Sequence, residues 1–183
     1  MKIVAIVGSL RKESYNGKIA NFIKERYDDK LNKLDIEILS LNDIVLFDED
    51  IEKDPPEGVK DFKEKIKYSD GVLFVTPEYN HSIPGALKNA LDWCSRVERV
   101  MLDKPVFIVG ASNGNVGTAR CQGELRKVLN CPGIAALTLP GNHVLIENVQ
   151  DKFDEFGNFT DERTIKYLDK VVDNYIEWAK TIK

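Results

Sequence analysis

The chain alternates short, continuous apolar runs with longer stretches in which apolar residues recur at helical spacing. Ile3 to Val7 is an uninterrupted apolar run closed by Gly8-Ser9, the pattern of a strand buried on both faces inside a parallel sheet. From Tyr15 to Tyr27 the positions Ile19, Ala20, Phe22, Ile23 and Tyr27 predict a helix, and Ile36, Ile38 and Leu39 mark a second strand. Pro55-Pro56 opens a second helical stretch with Val59, Phe62 and Ile66 on one face, followed by the central strand Val72 to Val75. Pro84 stands at the first position of a third helix, which carries Ala86, Leu87, Ala90, Leu91 and Cys94 and runs to about Arg96. Val106 to Val109, the loop Ala111 to Gly117 and a helix over Ala119 to Leu129 make a fourth unit. Ile134 to Leu139 and Val144 to Ile146 form a fifth strand interrupted at Pro140-Gly141. Thr160 with Glu162 then opens the last helix, striped by Ile165, Leu168, Val172, Tyr175, Ile176 and Ala179.

Five strands alternating with five helices define an α/β chain with a doubly wound parallel sheet, because parallel neighbours need crossover connections and these turn right-handed. At 183 residues and 43% hydrophobic content the expectation is one domain spanning 1–183, with Asp48 to Pro56 and Asp151 to Asn158 as polar surface loops. The net charge of -4 gives no basic field for nucleic-acid phosphates or anionic lipid, so neither partner is expected. Cys94, Cys121 and Cys131 are odd in number and form no C-x-x-C pair. With no secretory n-region and no membrane-length apolar run, they point to the cytoplasm.

Ligands of open α/β sheets settle beyond the carboxyl ends of the strands, where strand order reverses. Three loops fall there. Gly8-Ser9-Leu10-Arg11-Lys12-Glu13-Ser14-Tyr15-Asn16 joins hydroxyls, a guanidinium and an amide just before a helix start, a combination suited to phosphate. It is neither G-x-G-x-x-G nor a Walker loop. Capping alone would account for Ser9, Ser14 and Asn16 but leaves Arg11 and the second hydroxyl unexplained. Thr76 to Gly85 sets an aromatic and an amide between two prolines, a rigid rim for a planar heterocycle. Ser112 to Gly117 contains glycines that let backbone approach a ring, or that simply make a turn.

Gly-Ser-Leu-Arg-x-x-Ser-x-Asn at residues 8–16 and Pro-Glu-Tyr-Asn-x-Ser-x-Pro-Gly-x-Leu-Lys-Asn-x-x-Asp-Trp at residues 77–93 together resemble the NADPH-dependent FMN reductases. That family includes bacterial quinone, chromate and azo-dye reductases and has a flavodoxin-like fold. The resemblance implies a five-stranded sheet in the order 2-1-3-4-5 and bound FMN, with NADPH or NADH as co-substrate. It implies electron transfer to a small-molecule acceptor such as a quinone, free flavin, an azo compound or an oxidised metal ion. Ser9, Arg11, Ser14 and Asn16, with Tyr15 nearby, would hold the phosphate. Pro77, Glu78, Tyr79 and Asn80 would border the isoalloxazine, and Ser112, Gly114 and Gly117 would close its other side. Two positions depart from the family: Gly123 stands where some relatives carry an aromatic used in assembly, and Cys121 replaces a common alanine.

Glu78 reads as an acceptor for loop backbone or as a proton donor, and flavin hydride chemistry requires no protein base, so no catalytic residue is assigned. His81 lies beside the rim, His143 is isolated, and no metal-ligand set is legible. The cysteines read as small apolar residues. Trp93 with Val97, Val100, Met101 and Leu102 reads as an exposed apolar patch that pairs subunits into a homodimer or homotetramer; Trp93 reads equally as core. An electron carrier of the flavodoxin type is the alternative, disfavoured by the modest charge and the reductase-like Pro-Gly-x-Leu-Lys-Asn. A phospho-receiver domain would need acids after the first and third strands, where this chain has Ser9 and Pro77-Glu78.

Overall fold

A computed structural model describes residues 1–30 and 33–182. Its elements follow the order β1 (Lys2–Val7), α1 (Tyr15–Lys24), β2 (Asp35–Leu39), α2 (Glu57–Lys67), β3 (Gly71–Thr76), α3 (Gly85–Cys94), β4 (Pro105–Ala111), α4 (Ala119–Leu129), β5 (Leu137–Thr138), β6 (Val144–Ile146) and α5 (Glu162–Thr181). The strands form one parallel sheet in the order β2-β1-β3-β4-β5, and β6 also pairs with β4.

The apolar runs are continuous because the sheet is covered twice, and residue parity sorts each run between the two sides. Ile3, Ala5, Leu73, Val75, Phe107 and Val109 face a core closed by Ile19 and Ile23 of α1 and by Leu168, Val172 and Tyr175 of α5. Val4, Ile6, Val72, Phe74, Val106 and Ile108 face the opposite core, closed by Phe62, Ile66, Leu87, Leu91, Leu125 and Leu129 of the other three helices. Each fully buried Leu, Ile, Val or Phe side chain stabilises the fold by about 1.5–3 kcal/mol, so a register slip that exchanged the faces would be prohibitive.

The register also aligns the carboxyl ends. Val7 pairs with Val75, Thr76 with Gly110, and Ala111 with Ile146, so four strands release their loops along one edge. Gly8 is required at that edge by close approach: a Cβ there would lie 2.4 Å from Thr76 Oγ1.

Several sequence expectations shift by local rules. The first helix is α-helical to Lys24 and then widens into π turns over Glu25–Lys30. Tyr27 still reaches the core, and its hydroxyl donates to Asp169 Oδ1 at 2.8 Å. Pro84 precedes the third helix, which starts at Gly85 and ends at Cys94 rather than Arg96. The last helix is capped by Asp161 instead of Thr160; its carboxylate accepts the Thr164 N–H at 3.0 Å and adds a favourable charge at the helix start. Only Leu137–Thr138 of the first half of the fifth strand is extended, because Ile134 and Ala135 both donate to Cys131 O in a turn with Ala135 at φ 49°.

The expected apolar patch around Trp93 is a correction. Trp93, Val100 and Met101 are buried, leaving Val97 and Leu102 exposed. The indole N–H donates to Val45 O at 2.9 Å, and the ring meets Phe47 edge-on at 5.0 Å. Asn89 adds a two-point grip on the same loop, donating to Val45 O at 2.8 Å and accepting the Phe47 N–H at 2.7 Å. The terminal Asn-x-x-Asp-Trp of the long motif therefore fixes the loop after β2.

Asp169 ties α5 to the end of the first helix, accepting from Arg26 Nε at 2.7 Å and Nη2 at 2.8 Å besides Tyr27. These bonds, Arg26 foremost, hold its carboxyl below the ordinary value. A depressed native value means that the stabilisation is complete above the unfolded Asp value of about 4 and is lost as pH falls through the native one. Asp169→Asn is therefore expected to lower unfolding stability by about 1–2 kcal/mol at neutral pH. Urea titrations at successive pH values should show the gap between the two proteins closing below about pH 4.

Candidate functional site

The loop between β1 and α1 folds into a compact cradle. Arg11 N–H donates to Ser9 Oγ at 3.3 Å, and Ser14 N–H donates to Arg11 O at 3.2 Å. Ser14 caps α1 with extended backbone, its hydroxyl accepting the Gly17 N–H at 3.4 Å. The N–H groups of Tyr15 and Asn16, the first two of the helix, have no acceptor among the described residues. No acidic residue stands in the first turn, so the positive end of the helix dipole is open to an anion. Arg11 Nη2 donates to Glu13 O at 3.0 Å, keeping the guanidinium beside the cradle. Glu13 turns outward to Lys18 at 3.2 Å and is 77% exposed.

Asn16 is 3% exposed, and its carboxamide is already engaged. Nδ2 donates to Ala111 O at 3.0 Å and Oδ1 accepts the Ala111 N–H at 3.1 Å, pinning the start of α1 to the end of β4. The carboxamide is thus committed to Ala111, and the Asn16 backbone N–H stands at the open helix start.

After β3 the chain makes a miniature hairpin in which Tyr79 and Ser82 exchange backbone bonds of 3.1 and 2.9 Å. Asn80 at φ 50° and His81 at φ 65° occupy its tip, the two left-handed positions of a type I′ turn. Asn80 consequently projects from the turn instead of lining the cavity, whereas Pro77, Glu78 and Tyr79 do line it. Tyr79 OH lies 3.4 Å from Ser9 Oγ, bringing the first two loops together.

The loop after β4 is shaped by its own bonds. Ser112 Oγ donates to Gly117 O at 2.5 Å. Gly117 adopts φ 63° with its Cα against Leu145, where a Cβ would sit 3.1 Å from that side chain. Gly114 O accepts from Gly117 and Asn148. Gly114 and Gly117 thus set the loop's course, while Ser112 reaches the cavity.

Glu78 answers to both sequence readings in an unexpected way. Its side chain is 10% exposed. Its Oε2 accepts the Cys121 N–H at 3.0 Å, while Oε1 lies 3.5 Å from Arg120 Nη1. The backbone it bonds is that of α4, not of its own loop. Cys121 Sγ–H returns a bond to Pro77 O at 3.3 Å. Burial first, and then the Glu78 charge, push this thiol up to about 11, so it remains a protonated donor at neutral pH.

Ser9, Arg11, Ser14, Tyr15 and Asn16 converge with Pro77, Glu78, Tyr79 and Ser112 on one cavity of about 180 Å³. Asn113, Ala111 and Val149 complete it and were not singled out from the sequence. Asn113 lay inside a loop already read as part of the site. Val149 comes from a fourth segment, after β6, whose N–H donates to Ser112 O at 3.1 Å; a strand ending at the same edge was the only signal for it. Larger hollows, about 520 Å³ between β6 and α5 and about 360 Å³ beside α2, do not lie where the β1 and β3 loops meet. Among the described residues, no cluster of His, Cys, Asp and Glu is arranged to hold a metal ion, and no helix is long and apolar enough to cross a membrane. His143 lies apart, its imidazole held below the usual value by burial and by Arg126.

Replacing Asn16 with Ala leaves the Ala111 N–H and C=O buried without their partners, at a cost of about 2–4 kcal/mol. Thermal denaturation of Asn16→Ala should show a drop in midpoint well beyond that of an exposed Asn→Ala control such as Asn158→Ala or Asn113→Ala.

Comparison with known proteins agrees with this geometry. The model of the NADPH-dependent FMN reductase family matches residues 1–151. The NADH-dependent flavin reductase subunit 2 of Lactobacillus johnsonii is 39% identical over 185 residues, covering 98% of each chain. The quinone reductase of Escherichia coli K12 is 35% identical over 190 residues, covering 100% of this chain and 97% of its own. Among solved structures, FerB of Paracoccus denitrificans, a flavoenzyme NAD(P)H:(acceptor) oxidoreductase, superposes with a TM-score of 0.87 at 32% identity, covering 98% of this chain and 97% of that one. A parallel sheet in the order 2-1-3-4-5, a cradle at the first helix start and a match over most of the length have one common source: the chain belongs to the NADPH-dependent FMN reductase family.

Proposed function

We propose that this protein is an FMN-dependent oxidoreductase that accepts reducing equivalents from NADH or NADPH and delivers them to small acceptors such as quinones, free flavin, azo compounds or oxidised metal ions. The observation that carries the reading is the start of α1: open N–H groups at Tyr15 and Asn16, no acid in the first turn, and Arg11 beside them. That donor set fits a doubly charged phosphate ester. α4, by contrast, has its dipole end occupied by Glu78.

Ser9, Arg11, Ser14 and Tyr15 would hold the phosphate, with Asn16 contributing its N–H and setting the helix. Pro77, Glu78, Tyr79 and Asn80 would form or shape one wall, and Ser112, Asn113, Gly114 and Gly117 the other. FMN held there would set its phosphate in the cavity of about 180 Å³ and its ring toward the rim, open to donor and acceptor. When bound, FMN supplies the hydride and electron chemistry itself. The protein binds, orients and fixes the walls; no side chain of the site is needed as nucleophile or base. Glu78 is committed to α4 and Cys121 to Pro77 O, which suits that division of labour.

The same reading takes residues 1–183 as one domain, working in the cytoplasm as a homodimer or homotetramer on a small-molecule substrate. A single sheet with a core on each face supports the first, and the exposed Val97 and Leu102 offer apolar surface for the last.

Purified protein should be yellow, with the absorbance bands of bound flavin, and should oxidise NADH or NADPH when a benzoquinone is added. Colourless protein that neither takes up FMN nor turns over nicotinamide would refute the reading. Arg11→Ala should weaken FMN binding by about tenfold or more, read by fluorescence titration of the FMN-free protein, while leaving the unfolding midpoint near that of wild type.

A further inference from the structure

The helix after β4 is capped by the wrong residue. Thr118 precedes α4 but makes no capping bond; its hydroxyl instead accepts from Gln122 Nε2 at 3.2 Å. The N–H of Cys121, third in the helix, is the one a capping side chain ordinarily accepts. Here it is taken by Glu78, from the loop after β3 and 43 residues earlier in the chain. Negative charge at a helix start is favourable, and Glu78 is sheltered from solvent, with Arg120 alongside at 3.5 Å. The Cys121 thiol binds Pro77 O, so the loop after β3 is joined to α4 at two points, with Pro77 and Glu78 adjacent in the cavity wall.

We propose that Glu78 is a positioning residue: by capping α4 from the opposite loop, its carboxylate fixes the gap between the Pro77–Tyr79 wall and the Ser112–Gly117 wall, and with it the seat of FMN. The inference rests on the FMN reading above. Glu78 acts through α4 and exchanges no proton with substrate. An acceptor oxygen at the end of this side chain is what the role requires, and a titratable proton is not.

Three variants separate the possibilities. Glu78→Ala removes the acceptor and should weaken FMN binding by about tenfold, with faster hydrogen exchange at the Cys121 amide. Glu78→Gln retains an acceptor oxygen but cannot transfer a proton, and should recover most of the FMN affinity lost in Glu78→Ala. Glu78→Asp, one methylene shorter, should fall on the alanine side. A Glu78→Gln enzyme whose kcat drops by more than about threefold while FMN stays bound would assign Glu78 to proton transfer and overturn the proposal. So would a folded Glu78→Ala protein that binds FMN as tightly as wild type. If the alanine variant does not fold, Glu78→Asp takes its place, and FMN binding as tight as wild type in that variant overturns the proposal. Wild-type protein that binds no FMN would instead overturn the function on which the inference rests.

Discussion

A parallel sheet that must be dry on both faces dictates nearly everything else in this molecule. β3 and β4 are buried at every residue, and such strands can be joined only by helices that cross back over one face or the other. With α1 and α5 on one side and α2, α3 and α4 on the other, backbone leaves the core in the loops at the two edges of the sheet, and the carboxyl edge gathers the loops after β1, β3 and β4. Strand order reverses between β1 and β3, so the loops after those strands part toward opposite faces and leave a crevice between them. Burial of the core therefore locates the site.

Depth alone would give a loose crevice, and the structure closes it with side chains bonded to distant backbone. Asn16 joins α1 to the end of β4, Glu78 joins the β3 loop to α4, and Asn89 with Trp93 holds the loop after β2. Each satisfies backbone groups that have no partner in a helix or strand, so each contributes to folding as well as to the shape of the rim. A rim held in this way loses little conformational freedom when a ligand arrives, which favours affinity without demanding more contact area.

The strands and helices were legible because the apolar runs and helical stripes are long and mutually consistent. The loops were legible because Gly8-Ser9, Arg11 and Pro77 to Asn80 form a pattern too specific to serve one helix cap. What the chain concealed was pairing. The bonds of Asn16 to Ala111 could not be foreseen because that partner lies 95 residues on, and nothing local marks a carboxamide that binds distant backbone. Trp93 looked surface-bound as readily as buried, since Phe47 and Val45 that cover it belong to a loop without periodicity. Asp161 displaced Thr160 as a cap by one residue, a distance that pattern cannot resolve. Val149 was invisible for the same reason as Asn16: its place depends on β6 docking beside β4.

The divided fifth position has a value of its own. A long outer strand would present a ladder of unsatisfied N–H and C=O groups to any extended chain that met it, and parallel sheets with apolar runs as continuous as these are good templates for such misassembly. Here the border is broken into strands of two and three residues, with the Pro140-Gly141 bend between them. The interruption thus leaves that border without a long ladder for an extended chain to pair with.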